Sequence, residues 1–199
     1  TDDIDEFCER IRQTKAATDF TIVSYHFGIE YSRKPLDSHV KVVEKLANSG
    51  GDLILGHHPH VLHETKYFKT TDGRNSLIFY SLGNFISAQA RYLDNPDADP
   101  EKLYDSVLTR TAEALVAQFD VVKLDGRTSI VNASAIPFFN MRYVYKSGDK
   151  TYDGFELRRM NEIIAGDDLS GDKFRENAGL FKDIVLYRLN EIFKNILKF

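Results

Sequence analysis

Gly50-Gly51-Asp52-Leu53-Ile54-Leu55-Gly56-His57-His58-Pro59-His60 is the stretch that decides the fold. The Gly-Gly pair is a helix stop, because glycine readily takes the left-handed conformation that ends helices. Asp52-Leu53-Ile54-Leu55 is a short apolar strand, and Gly56 permits a tight exit into three histidines within four residues. Upstream, after Pro35, the apolar positions Leu36, Val40, Val43 and Ala47 mark one face of a helix. Before that helix, Phe20-Thr21-Ile22-Val23-Ser24-Tyr25 is rich in β-branched and aromatic residues and reads as a strand that runs into His26. Strand, helix, strand is a βαβ unit, so the two strands are expected to be parallel with a right-handed crossover.

Outward from this unit the pattern changes. Ile4, Phe7, Cys8 and Ile11 fall at helical spacing, with Asp3 and Glu6 placed like a capping box, and Cys8 reads as a core residue. Asp72-Gly73 separates Tyr67-Phe68-Lys69 from Leu77-Ile78-Phe79-Tyr80, a hairpin signal. Leu115, Ala117, Phe119 and Val121 alternate with polar or outward positions, as in a half-buried strand. Asp125-Gly126 and Ser147-Gly148 turn the chain through further antiparallel elements. From Lys173 to Phe199, the residues Phe181, Val185, Leu189, Ile192 and Ile196 form one helical face, expected to dock on the body of the domain. The polar, acidic stretch from Ala88 to Lys102 reads as a long surface insertion.

Composition bounds the function classes. The chain has 199 residues and a formal net charge of -4, from 30 acidic and 26 basic residues. That balance leaves no basic footprint for nucleic acid. No apolar run reaches the roughly 18 residues that span a bilayer, and the acidic Thr1-Asp2-Asp3 opening is unlike a signal peptide. The single cysteine excludes an intrachain disulfide. No Gly-rich phosphate loop and no nucleophile elbow are present, which argues against kinase and serine-hydrolase chemistry.

The histidines carry the chemistry. Four of six lie between positions 57 and 63, and His26 ends the neighbouring strand. Ligand crevices of parallel α/β sheets open at the carboxyl ends of the strands, where both groups lie. Neutral imidazole suits zinc, iron, manganese or copper. His58 and His60 share an H-x-H spacing that, in extended chain, points both rings to one side, and Pro59 biases His58 toward extended geometry. His39 reads as a helix-surface residue and His63 as outward-facing or supporting. Asp52 opens its strand at the end away from the histidines. Glu30 and Glu64 are the nearby carboxylates, and Glu30 reads as a partner that orients an imidazole.

Three segments together resemble the bacterial capsule synthesis (CapA-type) family linked to poly-γ-glutamate. They are Thr18 to Tyr31, with its His26-Phe27-Gly28-Ile29-Glu30-Tyr31 ending, Gly50 to Leu62, and Tyr80-Ser81-Leu82-Gly83-Asn84-Phe85. The resemblance covers roughly residues 1–140. It implies an α/β fold, part of a calcineurin-like metallophosphoesterase sandwich with a parallel βαβ unit, antiparallel strands and C-terminal helices. Residues 1–150 would be the C-terminal half of that domain, and 151–199 a helical extension packing on it. Phe27 stands where the family has Trp, and His63 where Gln is common. The family's N-terminal Gly-Asp strand, acidic segment and Asn-Asn-His element have no counterpart here.

By the same resemblance His26, His58 and His60 would bind metal, two divalent ions (Mn, Fe or Zn) in the full-length protein. A one-residue shift of the overlay would make His57 a ligand instead. His57 is otherwise the candidate catalytic residue, and Glu30 and Asn84 would bind substrate or support the ligands, although Asn84 also fits a simple turn. The full-length protein would be a metal-dependent hydrolase in capsule or poly-γ-glutamate biosynthesis, and this chain alone would be inactive. Its partners would be the missing N-terminal half, a polyanionic polymer or phosphoester substrate, and a capsule synthesis complex, with no nucleic acid. The protein would be extracytoplasmic, tethered through a segment absent from this chain. The alternatives are a non-catalytic scaffold or export and retention component, and a generic metallophosphodiesterase.

Overall fold

The computed structural model describes residues 2–87, 89, 102, 104–166 and 178–198. The insertion expected between Ala88 and Lys102 therefore lies almost entirely outside the described residues, as does the expected start of the tail helix at Lys173. The chain opens with α1 (Asp2–Ala17), β1 (Ile22–His26), α2 (Asp37–Asn48) and β2 (Leu53–His57). It continues with β3 (Thr65–Lys69), β4 (Asn75–Phe79), the single-turn α3 (Val107–Arg110), β5 (Glu113–Leu124), β6 (Arg127–Ser147) and β7 (Lys150–Arg159). It closes with α4 (Met160–Ala165), α5 (Ala178–Glu191) and a π-helical turn (Ile192–Ile196). Asp3 lies inside α1, so it does not cap that helix.

This is a mixed α/β fold built on two sheets. The first has the order β1-β2-β4-β3. β1, β2 and β4 run parallel, and β3 returns antiparallel to β4 through the Asp72-Gly73 turn. The βαβ unit expected from the sequence is present, with Ile22 opposite Leu53 and His26 opposite His57. The second sheet, β5-β6-β7, is antiparallel throughout. Its last strand overturns one expectation: residues 151–159 are not helical but extend the sheet, because Gly148 (φ 61°) turns the chain back along β6. Helix begins only at Met160.

Alternation along the strands distributes the core. One face of the first sheet presents Val23, Ile54, Ile78 and Tyr80 to Cys8 and Ile11 of α1 and to Val43, Leu46 and Ala47 of α2. Leu36, expected on the buried face of α2, is instead its N-cap and is exposed. The opposite face presents Leu53, Leu77 and Phe79 to Phe20, Ala117, Phe119 and Ile130, which joins the two sheets. Asp52 holds the amino end of β2 by accepting from Lys15 at 2.7 Å, from the Thr21 amide at 2.8 Å and from Arg74 at 2.9 Å.

The tail packs as its periodicity requires. Val185 and Ile192 are buried with Phe139, Met141, Met160 and Ile163, and Leu189 and Ile196 lie against them. A polar clasp completes the docking. The buried Thr65 hydroxyl donates to the Ile196 carbonyl at 3.0 Å and accepts from the Lys198 amide at 3.1 Å. Among the described residues, no helix is long and apolar enough to cross a membrane.

Candidate metal centre at the strand ends

The site is assembled by backbone before side chain. The Phe27 amide donates to the His57 carbonyl at 3.0 Å, and the Tyr31 amide to the Pro59 carbonyl at 2.8 Å, so the loops leaving β1 and β2 are bonded to each other. Gly28 (φ 117°) lies against Pro59, where an added Cβ would stand 3.1 Å from the proline ring. Gly56 lets β2 approach β4 so closely that a Cβ would stand 2.2 Å from the Tyr80 carbonyl oxygen. The Leu82 amide donates to the Gly56 carbonyl at 3.3 Å, which brings the Ser81–Asn84 segment alongside.

The histidines meet by a different route from the extended H-x-H geometry expected from the sequence. His58 has φ 102° and His60 φ 59°, so both lie in the left-handed half of backbone space. The strand ends at His57, and the chain must reverse at once to bond back to the β1 loop. Two residues with side chains make that reversal, at about 1–3 kcal/mol of strain each. Strain concentrated on two imidazole residues flanking one proline is the mark of a site that the surrounding structure holds in place. The turn puts His58 Nδ1 3.1 Å from His26 Nε2, with ring centroids 4.8 Å apart.

His60 is held in a defined tautomer. Asn84 Nδ2 lies within 3.2 Å of three oxygens, the His60 carbonyl, the Thr111 carbonyl and the Gln89 side chain, which fixes the amide orientation. Asn84 Oδ1 must then accept from His60 Nδ1, at 2.8 Å. His60 Nε2 is left with its lone pair free, 3.9 Å from Glu30 Oε1. Tyr31 stacks on the same imidazole at 6.0 Å.

One ligand atom each from Glu30, His58 and His60 lies within 4.8 Å of the other two. Two imidazoles and a carboxylate suit a borderline divalent cation, so this donor set fits the metal that the sequence reading expected. His26, Glu30, His58, His60 and Asn84 are all brought together. Glu30 stands among the donors themselves. His57 is half-buried at the end of β2, and burial, followed by the His26 charge, pushes its imidazole below the ordinary value of 6.5.

The remaining histidines take other places. His63 is buried at 2% exposure, not outward-facing, and its Nε2 donates to the Ser32 carbonyl at 2.7 Å, bracing the loop that carries Glu30. His39 is half-buried, edge-on to Phe27 at 5.7 Å. Sequence reasoning missed Gln89, which bonds both Asn84 and Tyr31. No spacing rule marks a lone glutamine.

A mixed α/β chain with parallel and antiparallel sheets, C-terminal helices and imidazoles gathered at parallel strand ends is consistent with a metallophosphoesterase-like fold. Residues 1–89 match the family model described as bacterial capsule synthesis protein PGA_cap. It is similar to the PGA biosynthesis protein CapA of Bacillus subtilis (strain 168), 31% identical over 117 residues, which is 59% of this chain and 25% of that protein. It is also similar to the capsule biosynthesis protein CapA of Bacillus anthracis, 30% identical over 118 residues, 59% of this chain and 23% of that protein. An uncharacterized protein of Sinorhizobium fredii (strain NBRC 101917 / NGR234) is 30% identical over 123 residues, 58% of this chain and 26% of that protein. The chain spans about a quarter of the length of the curated relatives it matches.

Proposed function

We propose that this chain forms the C-terminal part of a metallophosphoesterase-like domain in a protein of capsule or poly-γ-glutamate biosynthesis, acting as a metal-dependent hydrolase when completed by an N-terminal half. The observation that carries the reading is the strained His58–His60 turn, which gathers Glu30, His58 and His60 around one point. The names of the two CapA relatives support the pathway. Residues 1–150 would supply one side of the site, and the segment after them a packed extension. The substrate would be a phosphoester or an anionic polymer, and the protein would work outside the cytoplasm, tethered by another segment and associated with a capsule synthesis complex.

His26, His58, His60 and Glu30 would hold divalent metal, two ions in the full protein. Such ions supply Lewis acidity and lower the pKa of water. The chain's own residues prepare that chemistry. Asn84 keeps the Nε2 lone pair of His60 available, and His26 ties His58 in place. His57, its basic form favoured at neutral pH by burial, is suited to accept a proton.

Elemental analysis tests the proposal, on the native full-length protein, this chain, and each carrying His26→Ala, His58→Ala and His60→Ala together. The expected result is near two metals per full-length chain, lost in the triple variant, with hydrolysis of phosphoesters following metal content. Metal absent from the full-length protein would overturn the hydrolase and leave a scaffold or export component.

A further inference from the structure

Behind Asn84 lies a charge cluster that the histidine chemistry does not use. The Thr111 carbonyl accepts from Asn84 at 2.9 Å, so Arg110, at the end of α3, adjoins the wall of the site. Asp105 sits beneath it with both carboxylate oxygens engaged: Oδ1 accepts from Arg188 at 2.7 Å, and Oδ2 pairs with Arg33 at 2.8 Å. Arg188 also grips both oxygens of the fully buried Glu113, with Nη2 to Oε2 at 3.1 Å. Three guanidinium groups thus meet two carboxylates, and Arg110 is left with a long ion pair, Nε to Asp105 Oδ1 at 3.6 Å.

Arg110 is left over. It is only 8% exposed, and its Nε, 3.6 Å from Asp105 Oδ1, is buried without a hydrogen-bond partner. Among the described residues, none accepts a hydrogen bond from this guanidinium. A buried charge of this kind is costly, and native structures almost always pair it. Desolvation, followed by the Arg33 charge, weakens the hold of Arg110 on its proton. An incoming anion would relieve both. A guanidinium presents its donors as a planar fork matched to carboxylate and phosphate oxygens. Arg33, whose side chain is two-thirds exposed, adds a second positive group at the solvent side, three residues from Glu30.

We propose that Arg110 and Arg33 form a binding site for an oxyanion, the carboxylate or phosphoryl group of a ligand, beside the histidine cluster and independent of metal.

The test is a titration of the 15N-labelled protein with inorganic phosphate and, separately, with glutarate. Ionic strength is fixed with sodium chloride, no metal is added, and the arginine Nε–H signals are followed by NMR. Arg110→Lys identifies the Arg110 signal by its loss. The expected result is a saturable shift of that signal, with the half-saturation point raised at least fivefold in Arg33→Gln, an exposed change that leaves the fold intact. Tighter phosphate binding identifies a phosphoryl ligand, and tighter glutarate binding a carboxylate. An unmoved Arg110 signal, or an Arg33→Gln titration identical to the wild type, would overturn the site.

Discussion

Asn84 holds His60 at two points, accepting from its ring Nδ1 at 2.8 Å and donating to its backbone carbonyl at 3.2 Å. One amide therefore sets the tautomer of the imidazole and the position of the strained residue that carries it. Groups that orient a metal-ligating histidine in this way typically contribute 10–100-fold to affinity. Asn84→Ala is expected to weaken Zn²⁺ or Mn²⁺ binding by about that factor, measured by competition with a chelating dye. Unchanged affinity would remove Asn84 from the metal centre and leave it a turn residue.

Gly56 tolerates no side chain. A Cβ at this position would stand 2.2 Å from the Tyr80 carbonyl oxygen and 2.6 Å from its carbonyl carbon, both backbone atoms of a paired segment. Gly56→Ala must push β2 away from the segment following β4, so a loss of about 3 kcal/mol or more is expected in urea denaturation.

The Arg188–Glu113 pair is buried on both sides, at 5% and 0% exposure. Burial pushes the Glu113 carboxyl up, and its bonds to Arg188 pull it back. Removing one partner strands the other charge in the core between α5 and β5. Glu113→Ala and Arg188→Met are each expected to cost about 3–5 kcal/mol, and Glu113→Leu with Arg188→Met together far less than the sum. A denaturation series across the four proteins checks this, and strict additivity would refute a coupled pair.

His63 makes stability depend on pH in a stated direction. Burial lowers its pKa below 6.5, against smaller raising effects from the Ser32 carbonyl and Glu64. Below pH 6.5 the unfolded chain binds a proton that the folded imidazole refuses. The contribution is therefore fully present above that pH and is lost as pH falls toward the folded pKa, at up to about 1.4 kcal/mol per unit. His63→Gln retains a donor for the Ser32 carbonyl and should flatten the decline in unfolding free energy between pH 6.5 and 5. An equally steep decline in the variant would assign the effect to another group.

The βαβ unit, the β3–β4 hairpin and the docking face of the tail were legible because each rests on local period and local turn residues. Val43 and Ala47, or Asp72 and Gly73, state their roles within a few positions of sequence. The meeting of His26 with the Gly56–His60 segment was legible too, since a parallel crossover brings both carboxyl ends together. The shape of that segment was not. Pro59 suggested extended chain, but the bonds from Phe27 to His57 and from Tyr31 to Pro59 are long-range, and they impose positive φ at His58 and His60. The arginine cluster was invisible for a related reason: Arg33, Arg110 and Arg188 are scattered over the chain and share no motif.

The clasp on Thr65 has a consequence for synthesis on the ribosome. Its hydroxyl lies on β3, while its partners, the Ile196 carbonyl and the Lys198 amide, lie 131 and 133 residues later in the chain. During elongation the parallel sheet emerges with this buried hydroxyl unsatisfied and the surface beneath the tail uncovered. The nascent chain then carries an exposed apolar face until the tail emerges, the period in which intermediates are prone to misassociate. Final closure of the domain therefore waits until the segment that carries Ile196 and Lys198 has left the ribosome.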